Sequence, residues 1–211
     1  MKAAILISGR GSNMAALIAA SHAPGYAAEI ALVLSNRPDA GGLALAAAAG
    51  VPYCVVDHRP FGHDRAAHEA AIAAQLVAAG IEIVCLAGYM RLLTPYLVGR
   101  YAGRMLNIHP SLLPAFPGLD THTRALAAGV RLHGCTVHLV TEAMDEGPIL
   151  AQAAVPVLPD DTEPVLAARV LVQEHLLYAQ TLDSFAAGSP CVSACATAAL
   201  RNPLPRTPAL P

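Results

Sequence analysis

Charge is scarce in this sequence: Asp, Glu, Lys and Arg make up 13% of 211 residues and nearly cancel, leaving a net charge of -2 with histidine neutral. No block of basic residues occurs, which argues against a nucleic-acid surface. Long hydrophobic runs are missing too. A membrane-spanning helix needs about 18 consecutive apolar residues, and the richest stretch, 67–90, is interrupted by His68, Glu69, Gln75 and Glu82. The apolar opening from Met1 to Ile7 turns polar at Ser8-Gly9-Arg10. That is too short for a secretory leader, so a cytoplasmic location is expected. Cysteine usage excludes a disulfide framework. The count of five is odd, and Cys54, Cys85 and Cys135 sit in apolar runs as reduced core residues. Cys191 and Cys195 lack the spacing and partners of a zinc site, so no metal is expected.

What is present is apolar: 55% of residues are hydrophobic, ample for a buried core. Short apolar runs at 3–8, 29–35, 51–56, 82–87 and 104–109 read as strands. Helical patterns at 13–20, 43–49 and 64–79 alternate with them. Asp64 caps the third and Gly80 stops it, and a further helix starts at Thr94-Pro95. Continuous apolar strands between helices predict an α/β fold with an open, doubly wound, mostly parallel sheet. The second half changes character. Residues 133–141 alternate, with Cys135, Val137 and Leu139 on one side and Thr136 and His138 on the other. A strand at 150–158 follows after the short link Met144-Asp145-Glu146-Gly147, which predicts an antiparallel pair. A long helix over 162–187 closes the domain. Residues 1–188 therefore read as one domain, and 189–211, with five prolines, as a loosely ordered tail.

The first strand runs into Ser8-Gly9-Arg10-Gly11-Ser12-Asn13-Met14 and then a helix. Glycines permit close backbone approach, and a helix start offers free N–H groups and a positive dipole end, a combination suited to phosphate. A tight turn with a cap from Ser12 or Asn13 is the plain alternative. A dinucleotide fingerprint fails, because Met14 holds the third glycine position and no acidic residue follows strand two at Ser35-Asn36-Arg37.

Asn107 and His109 fall on the same side of the fifth strand, with Ile108 opposite and Pro110 ending the run. The carboxyl end of a parallel strand is where open sheets place ligands. An amide and an imidazole there can both donate to an oxygen gaining charge, and histidine carries protons near neutral pH. Asp145 is the candidate to orient His109. A satisfied structural Asn and His is the alternative. His122 and His138 are read as structural or supporting residues, and His22, His58, His63 and His68 as surface residues.

The run Asn107-Ile108-His109-Pro110-Ser111-Leu112-Leu113-Pro114, with Phe116-Pro117-Gly118, His133-Gly134-Cys135-Thr136-Val137-His138 and Asp145-Glu146-Gly147-Pro148-Ile149, resembles the 10-formyltetrahydrofolate-dependent formyltransferases from residue 5 to residue 178. The resemblance implies Asn107, His109 and Asp145 as the catalytic trio. Gly9-Arg10-Gly11-Ser12-Asn13 is similar to the loop of the purine-pathway branch, whose acceptor is the amine of glycinamide ribonucleotide. This implies that Gly11, Ser12 and Asn13 hold the substrate phosphate and Glu174 the ribose. It also implies a folate pocket from Met90, Arg91, Leu92, Leu93, Thr141, Glu142, Ala143 and Met144, with Arg65 near the folate's glutamate tail. The implied co-substrate is 10-formyltetrahydrofolate, the partners are small molecules, and the chain is expected to be a monomer or homodimer. Two positions have a reading of their own. Leu166, Val170, Glu174 and Leu177 share one helical stripe, so Glu174 has either a buried polar task or a solvated place. Arg91 faces a ligand or solvent, and Met90, Leu92 and Leu93 could equally be core. A formyltetrahydrofolate hydrolase, which lacks the Gly-Ser-Asn loop, and a non-catalytic nucleotide-binding protein are the rivals.

Overall fold

The computed structural model describes residues 1–188. Five apolar segments form the parallel part of one sheet: β1 (Lys2–Ile7), β2 (Glu29–Ser35), β3 (Tyr53–Val55), β4 (Ile83–Leu86) and β5 (Met105–His109). Two further strands, β6 (Leu132–Leu139) and β7 (Ile149–Pro156), extend it antiparallel, giving the order β3-β2-β1-β4-β5-β6-β7. The helices are α1 (Ser12–Ser21), α2 (Gly42–Ala48), α3 (Arg65–Ala78), α4 (Pro95–Arg100), α5 (Thr121–Ala127) and α6 (Glu163–Ala186). This is the expected doubly wound, mostly parallel sheet with an antiparallel C-terminal portion.

The central strand explains why these segments lack polar alternation. On β1, Ala3, Ile5 and Ile7 join one core with Met14 and Leu17 of α1 and Leu166 and Val170 of α6. Ala4 and Leu6 face the other core, against Ile72 and Leu76 of α3 and Leu97 of α4. A strand covered on both faces must be apolar throughout. The strand order steps outward in both directions from β1 and β4, so a crevice opens at their carboxyl ends.

Local chemistry sets the boundaries. The Asp64 carboxylate accepts from Ala67 N at 2.9 Å, capping α3 as expected, and Gly80 follows its end at a φ of 66°. Thr94 caps α4, its hydroxyl accepting from Tyr96 N at 3.3 Å, and the buried Glu69 carboxylate adds to the cap by accepting from Thr94 N at 2.7 Å and from Leu97 N at 3.2 Å. β3 is shorter than the expected 51–56. Pro52 accepts from Val33 N through its carbonyl yet has no N–H to continue the ladder. The short turn Arg59–Phe61 and helix α5 were not expected.

His68 corrects the surface reading. It is buried, and its Nε2 meets the carbonyl of Val56 at 2.8 Å, supplying a donor to a strand-end acceptor. Of the cysteines, Cys85 and Cys135 are buried and Cys54 half-buried, all three free thiols. The expected tail, with Cys191 and Cys195, lies outside the described residues.

Candidate active site

The glycine turn after β1 is open and held from behind. Ser8 Oγ donates to Asn36 Oδ1 at 2.6 Å and accepts from Met90 N at 2.8 Å, tying the ends of β1, β2 and β4 together. Gly11 has a φ of 77°, and a Cβ there would stand 2.8 Å from the Cα of Gly42. Gly42 N in turn donates to Gly9 O at 3.0 Å. Gly11 is thus required by contact of one backbone with another, and Gly42 by that contact and by the side chain of Ile7. Gly11 is the N-cap of α1, and no side chain caps it, so Ser12 and Asn13 do not play the capping role of the plain-turn alternative. The first-turn N–H groups face a cavity of about 300 Å³ lined by Gly9, Arg10, Gly11, Ser12 and Asn13, with Gly88 and Met90 opposite. A cavity of about 400 Å³ lies at the other end of the sheet, near Met1, Glu29 and Pro52, and none of the expected site residues lines it.

Asn13 Nδ2 donates to Glu174 Oε2 at 2.6 Å across 161 residues of sequence. Leu166, Val170, Glu174 and Leu177 are all buried, which decides between the two readings of Glu174 in favour of a buried carboxylate. Burial raises the Glu174 pKa, and the Asn13 bond opposes it. The Oδ1 of Asn13 is buried without a partner, an acceptor left over at the cavity floor.

The amide, imidazole and carboxylate meet at the end of β5. Asp145 has a φ of 59°, and this left-handed turn aims its side chain back at the strand. Asp145 Oδ2 lies 3.5 Å from His109 Nδ1 and accepts from Gly118 N at 2.8 Å. His109 Nε2 meets the carbonyl of Phe116 at 3.1 Å, so each ring nitrogen faces an acceptor. Asn107 Nδ2 lies 3.2 Å from Nε2 of His138, which stands directly opposite on β6. His138 Nε2 is also 3.8 Å from Asp145 Oδ1. Sequence reasoning placed His138 in support; the structure seats it between two members of the trio. The alternation of β6 put His138 on the face of Thr136, but only the β5–β6 register reveals Asn107 as its neighbour.

The remaining expected residues form a rim. Met90 is 73% and Leu92 61% exposed, which rules out the core alternative for both; Leu93 is half-buried against the α3–α4 core. Arg91 is half-buried at the same edge. Thr141, Glu142, Ala143 and Met144 are exposed in the link that carries Asp145. Arg65 is exposed at the first residue of α3, and no hydrogen bond or ion pair is shown joining it to the trio. Among the described residues no group of three metal-ligating side chains occurs, and no helix is long and apolar enough to cross a membrane.

Behind the loop that carries Phe116, His133 is buried with its Nε2 3.2 Å from His122 Nδ1. Burial, and then the neighbouring His122, pull the His133 pKa from 6.5 to about 4. The unfolded chain therefore binds a proton that the folded one refuses between these values, and stability is lost as pH falls through that window. The shift corresponds to about 3 kcal/mol. Urea midpoints should drop between pH 7 and pH 4.5, and His133→Phe should flatten that slope; an equal slope in the variant would remove His133 as its source.

A formyl transferase family model matches residues 1–182. The phosphoribosylglycinamide formyltransferase of Haemophilus influenzae is 42% identical over 187 residues, covering 89% of this chain and 88% of that protein. The trifunctional purine biosynthetic protein adenosine-3 of Drosophila melanogaster is 44% identical over 194 residues. There the match takes in 91% of this chain but only 14% of the relative, so the chain spans about one seventh of that protein's length. The crystal structure of phosphoribosylglycinamide formyltransferase from Brucella melitensis superposes with a TM-score of 0.85 at 60% identity, covering 89% of this chain and 96% of that one. On the match across nearly its whole described length, this chain belongs to the formyl transferase family.

Proposed function

We propose that the chain transfers the formyl group of 10-formyltetrahydrofolate to the amine of glycinamide ribonucleotide in the cytoplasm, releasing tetrahydrofolate. The observation that carries this reading is the grouping of Asn107, His109 and Asp145 at the carboxyl end of β5, the same end of the sheet as the uncapped, glycine-lined start of α1 after β1. Gly11, Ser12 and Asn13 hold the phosphate through backbone N–H groups, and Glu174, buried beside Asn13, accepts from the ribose hydroxyls. Asn107 and His109 donate to the formyl oxygen as the amine attacks the formyl carbon; His109 Nε2–H passes from the Phe116 carbonyl to that oxygen. The new C–N bond forms, the bond to the folate nitrogen breaks, and Asp145, through a water, carries the proton from the amine to the departing nitrogen.

The rim fits a folate. Met90 and Leu92 offer uncovered apolar surface to a flat ring, and Leu93 backs it. The link from Thr141 to Met144 supplies backbone polar groups for the ring edge. Arg91 and Arg65 are the cations available to an acidic tail. The Gly-Ser-Asn turn favours a phosphorylated acceptor over water, which separates this reading from a hydrolase. The test is to supply 10-formyltetrahydrofolate with and without glycinamide ribonucleotide. Tetrahydrofolate should appear only with the nucleotide. Equal release in its absence would replace the transferase reading with the hydrolase, and no release in either case would leave a binding protein.

A further inference from the structure

Asn107 has a side-chain torsion that is intrinsically broad, since the terminal bond of Asn is not confined to narrow staggered wells. An amide meant to donate to a reacting oxygen therefore needs an outside partner to fix its rotation. The one in contact here is His138. Its ring is buried, with a side chain 3% exposed, and its two nitrogens have different neighbours. Nδ1 lies 3.0 Å from the carbonyl oxygen of Leu139, which can only accept, so Nδ1 carries the proton. Nε2 is then a bare acceptor for Asn107 Nδ2–H at 3.2 Å. An amide turned the other way would set Oδ1 against that lone pair.

We propose, resting on the formyl-transfer reading, that His138 is a positioning residue: held as the neutral Nδ1–H tautomer by the Leu139 carbonyl, it fixes the Asn107 amide so that its second N–H meets the formyl oxygen. The charged and titratable groups facing it are Asp145, from the link, and His109, from β5. Burial lowers the His138 pKa and outweighs the nearby Asp145 carboxylate, which favours the charged ring. A protonated His138 would turn an N–H toward Asp145 and toward the Asn107 amide nitrogen, and the anchor would become a repulsion.

The test compares His138→Leu, which removes the acceptor, with His138→Gln, which restores a carbonyl oxygen. Losing an oxyanion donor altogether costs about a hundredfold to a thousandfold. Freeing its rotation should cost less, about tenfold to a hundredfold in kcat for the leucine variant. KM for nucleotide and folate should change by no more than about twofold, since the contact acts at the reacting carbonyl. The glutamine variant should recover a substantial part of kcat. Independently of any variant's folding, nitrogen-15 NMR of histidine-labelled native protein should show His138 neutral at pH 7, with Nδ1 protonated and Nε2 bare. A protonated Nε2 at pH 7 overturns the proposal, as does a leucine variant that turns over like the parent. If the parent itself transfers no formyl group, the functional reading fails, and the NMR result still decides the tautomer.

Discussion

Asp145→Asn should lower kcat by about 10²- to 10⁴-fold, the range for removing a positioned proton carrier, while glycinamide ribonucleotide still binds. The exchange preserves shape. An amide oxygen at Oδ2 can keep the bond from Gly118 N, so the left-handed turn at residue 145 survives. What disappears is the negative charge beside His109 Nδ1 and the site that takes and returns a proton. The nucleotide grip lies elsewhere, on the first turn of α1 and the Asn13–Glu174 pair, so its affinity should stay within about threefold. Steady-state kcat and direct nucleotide titration check the two halves. A variant with kcat within tenfold of the parent would remove Asp145 from the proton path.

Gly147→Ala is the expected structural counterpart. A Cβ at position 147 would overlap the carbonyl oxygen of Leu139, and backbone cannot rotate away as a side chain tip can. That oxygen is the acceptor of His138 Nδ1, and Leu139 N bonds Pro148 O across the same turn. The added methyl should therefore destabilise the chain by roughly 2–4 kcal/mol. It should also reduce kcat beyond the loss of folded protein, because His138 and Asp145 both shift. Gly99→Ala is the control. Nothing lies within 4 Å of its Cβ position inside α4, where alanine stabilises a helix by up to about 1 kcal/mol. Urea midpoints for the two variants should move in opposite directions. An unchanged midpoint for Gly147→Ala would mean that the turn relaxes freely.

The parallel half of the fold was legible because its strands are apolar on both faces and its helices carry their own punctuation: Asp64 before α3, Gly80 after it, Thr94-Pro95 opening α4. The stripe on α6 left Glu174 either buried or solvated, and packing of that stripe against the sheet buries it. Three features needed the tertiary structure. His68 reads as a surface residue until the unpaired carbonyl of Val56 is placed above it. Met90 and Leu92 read as pocket lining or as core, and only the fold, which leaves both exposed after β4, removes the core alternative. The start of α4 at Thr94-Pro95 is where the sequence puts it, but the second acceptor there, Glu69 from α3, which takes Leu97 N and both the N–H and the hydroxyl of Thr94, is visible only in the fold.

Sequence alone determined the strand and helix succession, the glycine turn, and the placement of Asn107 and His109 on one side of a strand, because period, breaker residues and alternation act over a few residues. Only the tertiary structure decided which side chains become neighbours. The Asn13–Glu174 bond depends on how α1 and α6 pack on the sheet, the pairing of Asn107 with His138 depends on antiparallel register, and the partnership of Asp145 with His109, a candidate in the sequence, gets its distance only from the fold. Register is set by a whole strand at once, against every competing pairing, and no local pattern in the chain records its outcome.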